Sequence, residues 1–292
     1  MAKLASLRDQ GLREQAQREA AQRVADSAAT AAIARAVKAT GTRPTRSATP
    51  APAFAGAVKT LWDAARLPPF DDWGTFASIA GRCESDLARQ LGARYSPESV
   101  RLKNFHVYDS SGRQGAALAQ MQRFLADMEA VIRETRGLVL YGSVGTGKDH
   151  FLAAALYYVA SAGITAGWAS GQDIYLRIRD SMDSRELERK ILRPFIDPFV
   201  LGISDPVSPG GALGNFDARV LAGLLDKRYR AMRPTWLTMN ADNEVDAKAK
   251  LTPLIWDRFR HGAEIIPCFW PSFRGLRAKP GEAVAGKVGA PS

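Results

Sequence analysis

From Tyr95 onward, apolar runs of four to seven residues alternate with longer stretches of helical periodicity. That rhythm predicts an α/β domain, with strands buried in the middle and helices laid over them. Strands are predicted at Leu138–Tyr141, Ile164–Ala169, Phe199–Ser204, Thr235–Met239 and Ile265–Trp270. Helices are predicted near Arg113–Glu134, Lys148–Ser161, Gln172–Asp180, Arg185–Leu192, Ala218–Arg230 and Lys248–His261. Ahead of them, residues 54–93 carry short apolar clusters (Leu61, Trp62, Leu67; Phe70, Trp73, Phe76, Ile79; Leu87, Leu91) broken by Pro68-Pro69, the pattern of a small helical module that could dock a partner. Its aromatic side chains form either a docking surface or a small core, and packing favours the core. Residues 41–53, rich in Pro, Thr, Ser and Ala, read as a linker. Residues 1–40 repeat acid-to-arginine pairs four apart, Asp9 with Arg13, Glu14 with Arg18 and Glu19 with Arg23, which favours an exposed basic helix. Its apolar face is mostly alanine, so the helix is expected to project or to dock on a partner.

Phe151–Gln172 holds no charge and is long enough to cross a bilayer. Gly163, Gly167, Gln172 and the lysine just ahead of it argue instead for a buried helix followed by a buried strand, and no membrane association is expected.

The 292 residues allow one large domain with appendages, and with 46% apolar residues the chain can bury a real core. The net charge of +10 is concentrated at the ends: residues 1–50 hold 9 basic and 4 acidic side chains, residues 274–292 hold 4 and 1, and the middle is nearly balanced. Two cationic arms on a compact domain suit contact with a phosphate backbone, although such tails also serve solubility alone. Residues 276–292, made mainly of Gly, Ala, Pro and Lys, are expected to be disordered. Cys83 and Cys268 are too few for a disulfide framework or a cysteine zinc site, and the first residues lack a secretory apolar run. A reducing, cytoplasmic location is the expectation.

The strongest chemical signal is Gly142-Ser143-Val144-Gly145-Thr146-Gly147-Lys148-Asp149-His150, set between a predicted strand and a predicted helix as a P-loop requires. Glycines let main-chain N–H groups turn inward around a polyphosphate, the helix N-terminus adds its dipole, and Lys148 supplies a point charge. The usual Ser or Thr that ligates Mg²⁺ is replaced by Asp149. A carboxylate is also a hard oxygen ligand, yet it adds negative charge beside the phosphates. Phe199–Ser204 then ends in Asp205, placed as the Walker B acid that serves the metal, so Asp149 and Asp205 are the candidate Mg²⁺ residues. Where a general-base glutamate commonly follows stands Pro206. Its absence predicts slow or no hydrolysis unless Asp217 or Asp226 substitutes, and both read more simply as structural acids on a helix.

The order of these motifs resembles the DnaC-type replicative helicase loaders and their relatives, the IstB-type transposition helper ATPases, in the AAA+ superfamily. Arg94-Tyr95-Ser96-Pro97 with Asn104-Phe105-His106-Val107 resembles the family's segment ahead of the P-loop, and Gly147-Lys148-Asp149-His150 is similar to its P-loop variant. The resemblance covers about residues 94–275 and implies a three-layer P-loop fold with a five-stranded parallel sheet, preceded by a helical extension. It implies that Asn240 is a polar sensor holding the attacking water, that Arg258 in Trp256-Asp257-Arg258-Phe259 is an arginine finger reaching a neighbouring copy, and that Arg274 in Trp270-Pro271-Ser272-Phe273-Arg274 touches phosphate in cis. With them come ATP and Mg²⁺ as cofactors, and a hexameric replicative helicase, single-stranded DNA and self-association through Arg258 as partners. An IstB-like helper that binds duplex DNA and recruits a transposase is the alternative. A metabolite kinase, or an adaptor with a vestigial P-loop, accounts for less of the chain.

Overall fold

A computed structural model of the chain describes residues 52–70, 72–100, 109, 111–180, 185–207, 211–260 and 262–275. The expected N-terminal helix (1–40), most of the linker (41–53), Asn104 to Val107 and the basic tail (276–292) lie outside the described residues.

The expected α/β architecture is present. Five strands, β1 (Leu138–Gly142), β2 (Ala166–Ser170), β3 (Val200–Ser204), β4 (Thr235–Asn240) and β5 (Glu264–Cys268), pair in the order β2-β3-β4-β1-β5. All four pairings are parallel. Helices α1 (Pro52–Ala64), α2 (Trp73–Leu91), α3 (Arg113–Ala126), α4 (Met128–Arg133) and α5 (Lys148–Ser161) precede β2. Then follow α6 (Gly171–Asp180), α7 (Arg185–Ile196), α8 (Asn215–Arg230), α9 (Glu244–Leu251) and α10 (Pro253–Arg260).

Because side chains alternate along a strand, each strand feeds two cores. Leu138, Leu140, Val200, Trp236 and Ile266 pack with α1 to α5 on one face, and Val139, Tyr141, Leu201, Ile203, Leu237 and Met239 pack with α6 to α10 on the other. Both faces being covered, the strands read as continuous apolar runs. Helix α5 is buried along most of its length; no described helix is long and apolar enough to cross a membrane.

Helices α1 and α2 share the first core through Leu61, Cys83, Leu87 and Leu91. Trp62, Phe70, Trp73 and Phe76 close a cluster of edge-on rings at 5.0–5.8 Å beside it. Helix α2 also covers the β2 edge of the sheet, where the Gln90 side-chain oxygen accepts the Trp168 N–H at 2.8 Å. Such capping removes an exposed ladder edge. Gly92, with φ +71°, ends α2 and turns the chain into a short 3₁₀ turn, Ala93–Tyr95.

Two expected helices are each two. Arg113–Glu134 breaks at Asp127, whose φ and ψ of −97° and 27° leave the helix while its carboxylate takes Arg136 at 2.8 Å. Lys248–His261 breaks at Thr252, ahead of Pro253, and α9 begins earlier under the Asn243 cap, whose side chain accepts the Asp246 N–H at 2.9 Å.

Candidate nucleotide-binding site

The P-loop grows out of the interior strand β1, flanked by β4 and β5. Gly142 closes against β5: a Cβ there would lie 2.2 Å from the Cys268 carbonyl oxygen, and that oxygen accepts the Ser143 N–H at 3.1 Å. Gly145, with φ +82°, leaves room for Ser272, whose Oγ would sit 2.0 Å from an added Cβ. Two carbonyls of the loop are held by the segment after β5: Phe273 N–H donates to the Gly145 carbonyl at 3.0 Å and the Trp270 indole N–H to the Thr146 carbonyl at 3.1 Å. Val144, at the tip, is exposed. Helix α5 starts at Gly147 in the left-handed region with no side-chain cap, leaving first-turn N–H groups for an anion.

Lys148 is 6% exposed, and its Nζ donates to the Ser143 carbonyl at 2.6 Å and the Gly142 carbonyl at 3.2 Å. Burial lowers its pKa, opposed by the charges of Cys268, Asp205 and Asp149. At the end of β3, Asp205 adopts φ +42°, a left-handed conformation that Asp tolerates better than most residues. Asn240 Nδ2 donates to Asp205 Oδ1 at 3.0 Å. Burial, then the Asp149 charge, push the Asp205 pKa up to about 6, against the pull of Lys148 and Arg274.

Asp149 has a set of three hydroxyl donors. Thr238 Oγ1 and Ser204 Oγ donate to its Oδ1 at 2.7 and 3.0 Å, and the Tyr95 hydroxyl approaches its Oδ2 at 3.4 Å. Tyr95 stands edge-on to the His150 ring at 4.9 Å, with its own pKa raised to about 12, mainly by burial. Arg274 is exposed, and its charge is felt by Lys148, Asp205 and Tyr95.

The fold around this site has known counterparts. No protein-family model and no curated protein sequence matches the chain. Among solved structures, that of the DnaC helicase loader is similar over 61% of this chain and 99% of its own, at 22% identity and a TM-score of 0.52. The chain shares the fold of that structure, helices on both faces of a five-stranded parallel sheet. A structure of DnaI aligns over 61% of this chain and 94% of its own, at 21% identity and a TM-score of 0.43. AMPPCP-bound DnaA from Aquifex aeolicus aligns over 60% of this chain and 51% of its own, at 18% identity and a TM-score of 0.46.

On this DnaC-type fold the residues singled out in the sequence fall into two places. Gly142 to His150, Asp205, Asn240 and Arg274 gather around the C-terminal ends of β1, β3, β4 and β5. Arg258 does not join them. On α10 it donates to the Ala222 carbonyl at 3.2 Å and lies 3.7 Å from Asp226, both on α8. The two acids considered as substitute bases are engaged in ion pairs, Asp217 with Arg179 at 3.5 Å and Asp226 with Arg230 and Arg258. Pro206 is buried, its carbonyl accepting the Tyr175 hydroxyl at 3.0 Å.

The residues fit a nucleoside triphosphate: an uncapped helix N-terminus, a loop whose carbonyls are tied back, and a lysine at its base. They fit Mg²⁺ as a shared ligand set. Among the described residues no cluster of three or more His, Cys, Asp or Glu could hold a metal by itself, so Asp205 and Asp149 would hold the ion jointly with phosphate oxygens and water.

Sequence reasoning passed over Ser204 and Thr238 as contributors, and placed Tyr95 and Trp270 only by resemblance. Ser204 ends the apolar run of β3 and Thr238 stands between Leu237 and Met239 in β4, but only the register between the two strands brings these hydroxyls together.

Proposed function

We propose that this chain is an ATP-binding, replication-associated AAA+ protein of the helicase-loader kind, in which the bound nucleotide acts as a switch and is hydrolysed slowly. The observation that carries the reading is the convergence at adjacent strand ends of the Lys148 loop and the Asp205–Asn240 pair, whose two side chains are hydrogen-bonded at 3.0 Å. Inward-turned N–H groups and Lys148 bind the phosphates. Asn240, anchored by Asp205, orients water beside them. Bound Mg²⁺ would neutralise phosphate charge, with Asp205 and Asp149 as its protein ligands.

Slow turnover follows from Pro206, which has no proton-accepting side chain; a missing general base costs about 10²- to 10⁴-fold. Arg258 serves as a finger toward a neighbouring copy only by exchanging its bond to Ala222 for one to phosphate, so self-association and nucleotide state are coupled through it. Arg274, exposed at the mouth, supplies a cation in cis. The basic ends carry the contact with single-stranded DNA, and the N-terminal extension carries the contact with a hexameric replicative helicase.

The test is to mix the full chain with hexameric replicative helicases, with and without an ATP analogue, and to measure the mass of the complex. A nucleotide-dependent complex that takes up single-stranded DNA is expected. Preference for duplex DNA with no helicase complex would replace this reading with that of a transposition helper.

A further inference from the structure

Ser204 and Thr238 are register partners on neighbouring strands, so their side chains stand side by side on the sheet face that α5 covers. Thr238 is 0% exposed and Ser204 7%, in strands whose other buried side chains are almost wholly apolar. A buried hydroxyl is costly unless it donates a hydrogen bond. Both donate to one acceptor, Oδ1 of Asp149, and the Tyr95 hydroxyl faces the other oxygen.

Tyr95 reaches this place because α2 is docked along α5 and β2. Gln90 ties α2 to the sheet edge, the Cys83 Sγ meets the Gly163 carbonyl at 3.5 Å, and Gly92 turns the chain inward. Asp149 sits in the first turn of α5, one residue beyond Lys148, beside N–H groups suited to an anion. A carboxylate free to rotate there is an intramolecular competitor for the phosphates.

We infer that Ser204, Thr238 and Tyr95 form a hydroxyl receptor that holds the Asp149 carboxylate against the strand ends, so that a P-loop ending in an acid keeps its anion seat open. Ser204, Thr238 and Tyr95 are positioning residues: they act on nucleotide through Asp149. The geometry stands independently of the nucleotide reading, and its consequence for affinity rests on that reading.

The test is a double-mutant cycle between Thr238→Val, which keeps shape and removes the hydroxyl, and Asp149→Thr, which removes the competitor. Affinity for ADP and for AMPPNP is measured by calorimetry on the full chain, with and without Mg²⁺. Hydrogen bonds to charged groups are worth about 1.5–3 kcal/mol, so T238V is expected to weaken binding by about 10-fold or more. Thr238→Ser, which retains the hydroxyl, should stay within about threefold, and T238V in the Asp149→Thr background should also change affinity by less than about threefold. Equal losses in both backgrounds, or no loss beside Asp149, overturn the inference. Should T238V fail to fold, Ser204→Ala carries the same cycle. A wild-type chain that binds no nucleotide sinks the proposed function instead. The receptor is then judged from urea melts of the ligand-free chain, where T238V should cost much less in the Asp149→Thr background, and additive losses would overturn it.

Discussion

Burial and the neighbouring Asp149 charge raise the Asp205 pKa to about 6, whereas an unfolded aspartate titrates near about 3.9. The folded chain therefore holds this proton more tightly than the unfolded one. Stability falls as pH rises from about 4 to 6, and above that window the full cost is carried, about 2–3 kcal/mol. Asp205→Asn tolerates the same left-handed backbone and removes the charge, so the ligand-free variant should melt about 4–8 °C higher at pH 7.5, with the gain vanishing near pH 4; calorimetric scans at the two pH values check it. Lys148→Met, which keeps the buried stem and loses the ammonium, should fold as well as the wild type. With nucleotide at about 100 times the wild-type Kd, the wild type should gain about 2.7 kcal/mol of stability and the variant almost none, as read from thermal shifts. Glycine spacing and Lys148 marked this loop in the sequence alone, and the structure places it at the strand ends. The hydroxyl partners of Asp149 were hidden, because pairing between β3 and β4 sets them opposite one another and nothing local announces that register.

At the scale of elements, periodicity was most informative where local preference and packing agree. Helix α5 has the expected bounds, Lys148–Ser161, because glycines precede it and Ala162-Gly163 ends it. The break at Pro253 was legible from the proline; the break at Asp127 was not, since apolar spacing continues through it and the Arg136 contact that accompanies it is tertiary. Arg228 illustrates the same limit. Its sequence context suggests a solvated helix end, yet it is fully buried, and its guanidinium donates to Thr235 Oγ1 and to the carbonyls of Phe195, Ile196, Pro198, Phe199 and Pro234. It joins the end of α7, the turn into β3 and the turn into β4, with a pKa lowered to about 9 chiefly by burial. Arg228→Met strands those carbonyls without a donor and should cost about 3 kcal/mol, read as a lower urea midpoint at unchanged slope.

For the molecule as a whole, the α/β class followed from the alternation of apolar runs and helices, while the five-stranded parallel sheet came only with the resemblance carried by the motifs; such a sheet needs cover on both sides. The packing of α1 and α2 into the same core was less apparent, because Pro68-Pro69 suggested a break in the chain and only tertiary contacts reveal the continuity. Charge is the global property with a direct readout. If the basic ends contact single-stranded DNA, deleting residues 276–292 removes Arg277, Lys279 and Lys287 and should reduce the slope of log K against log salt by about 2. Everything proposed for function depends on the Lys148 loop closing around a triphosphate. Calorimetric titration of the full chain with AMPPNP and Mg²⁺ measures this most directly. Saturable one-site binding that disappears in Lys148→Met is the predicted result, and a well-folded wild-type chain that gives no heat and no thermal shift with adenine nucleotide would contradict it.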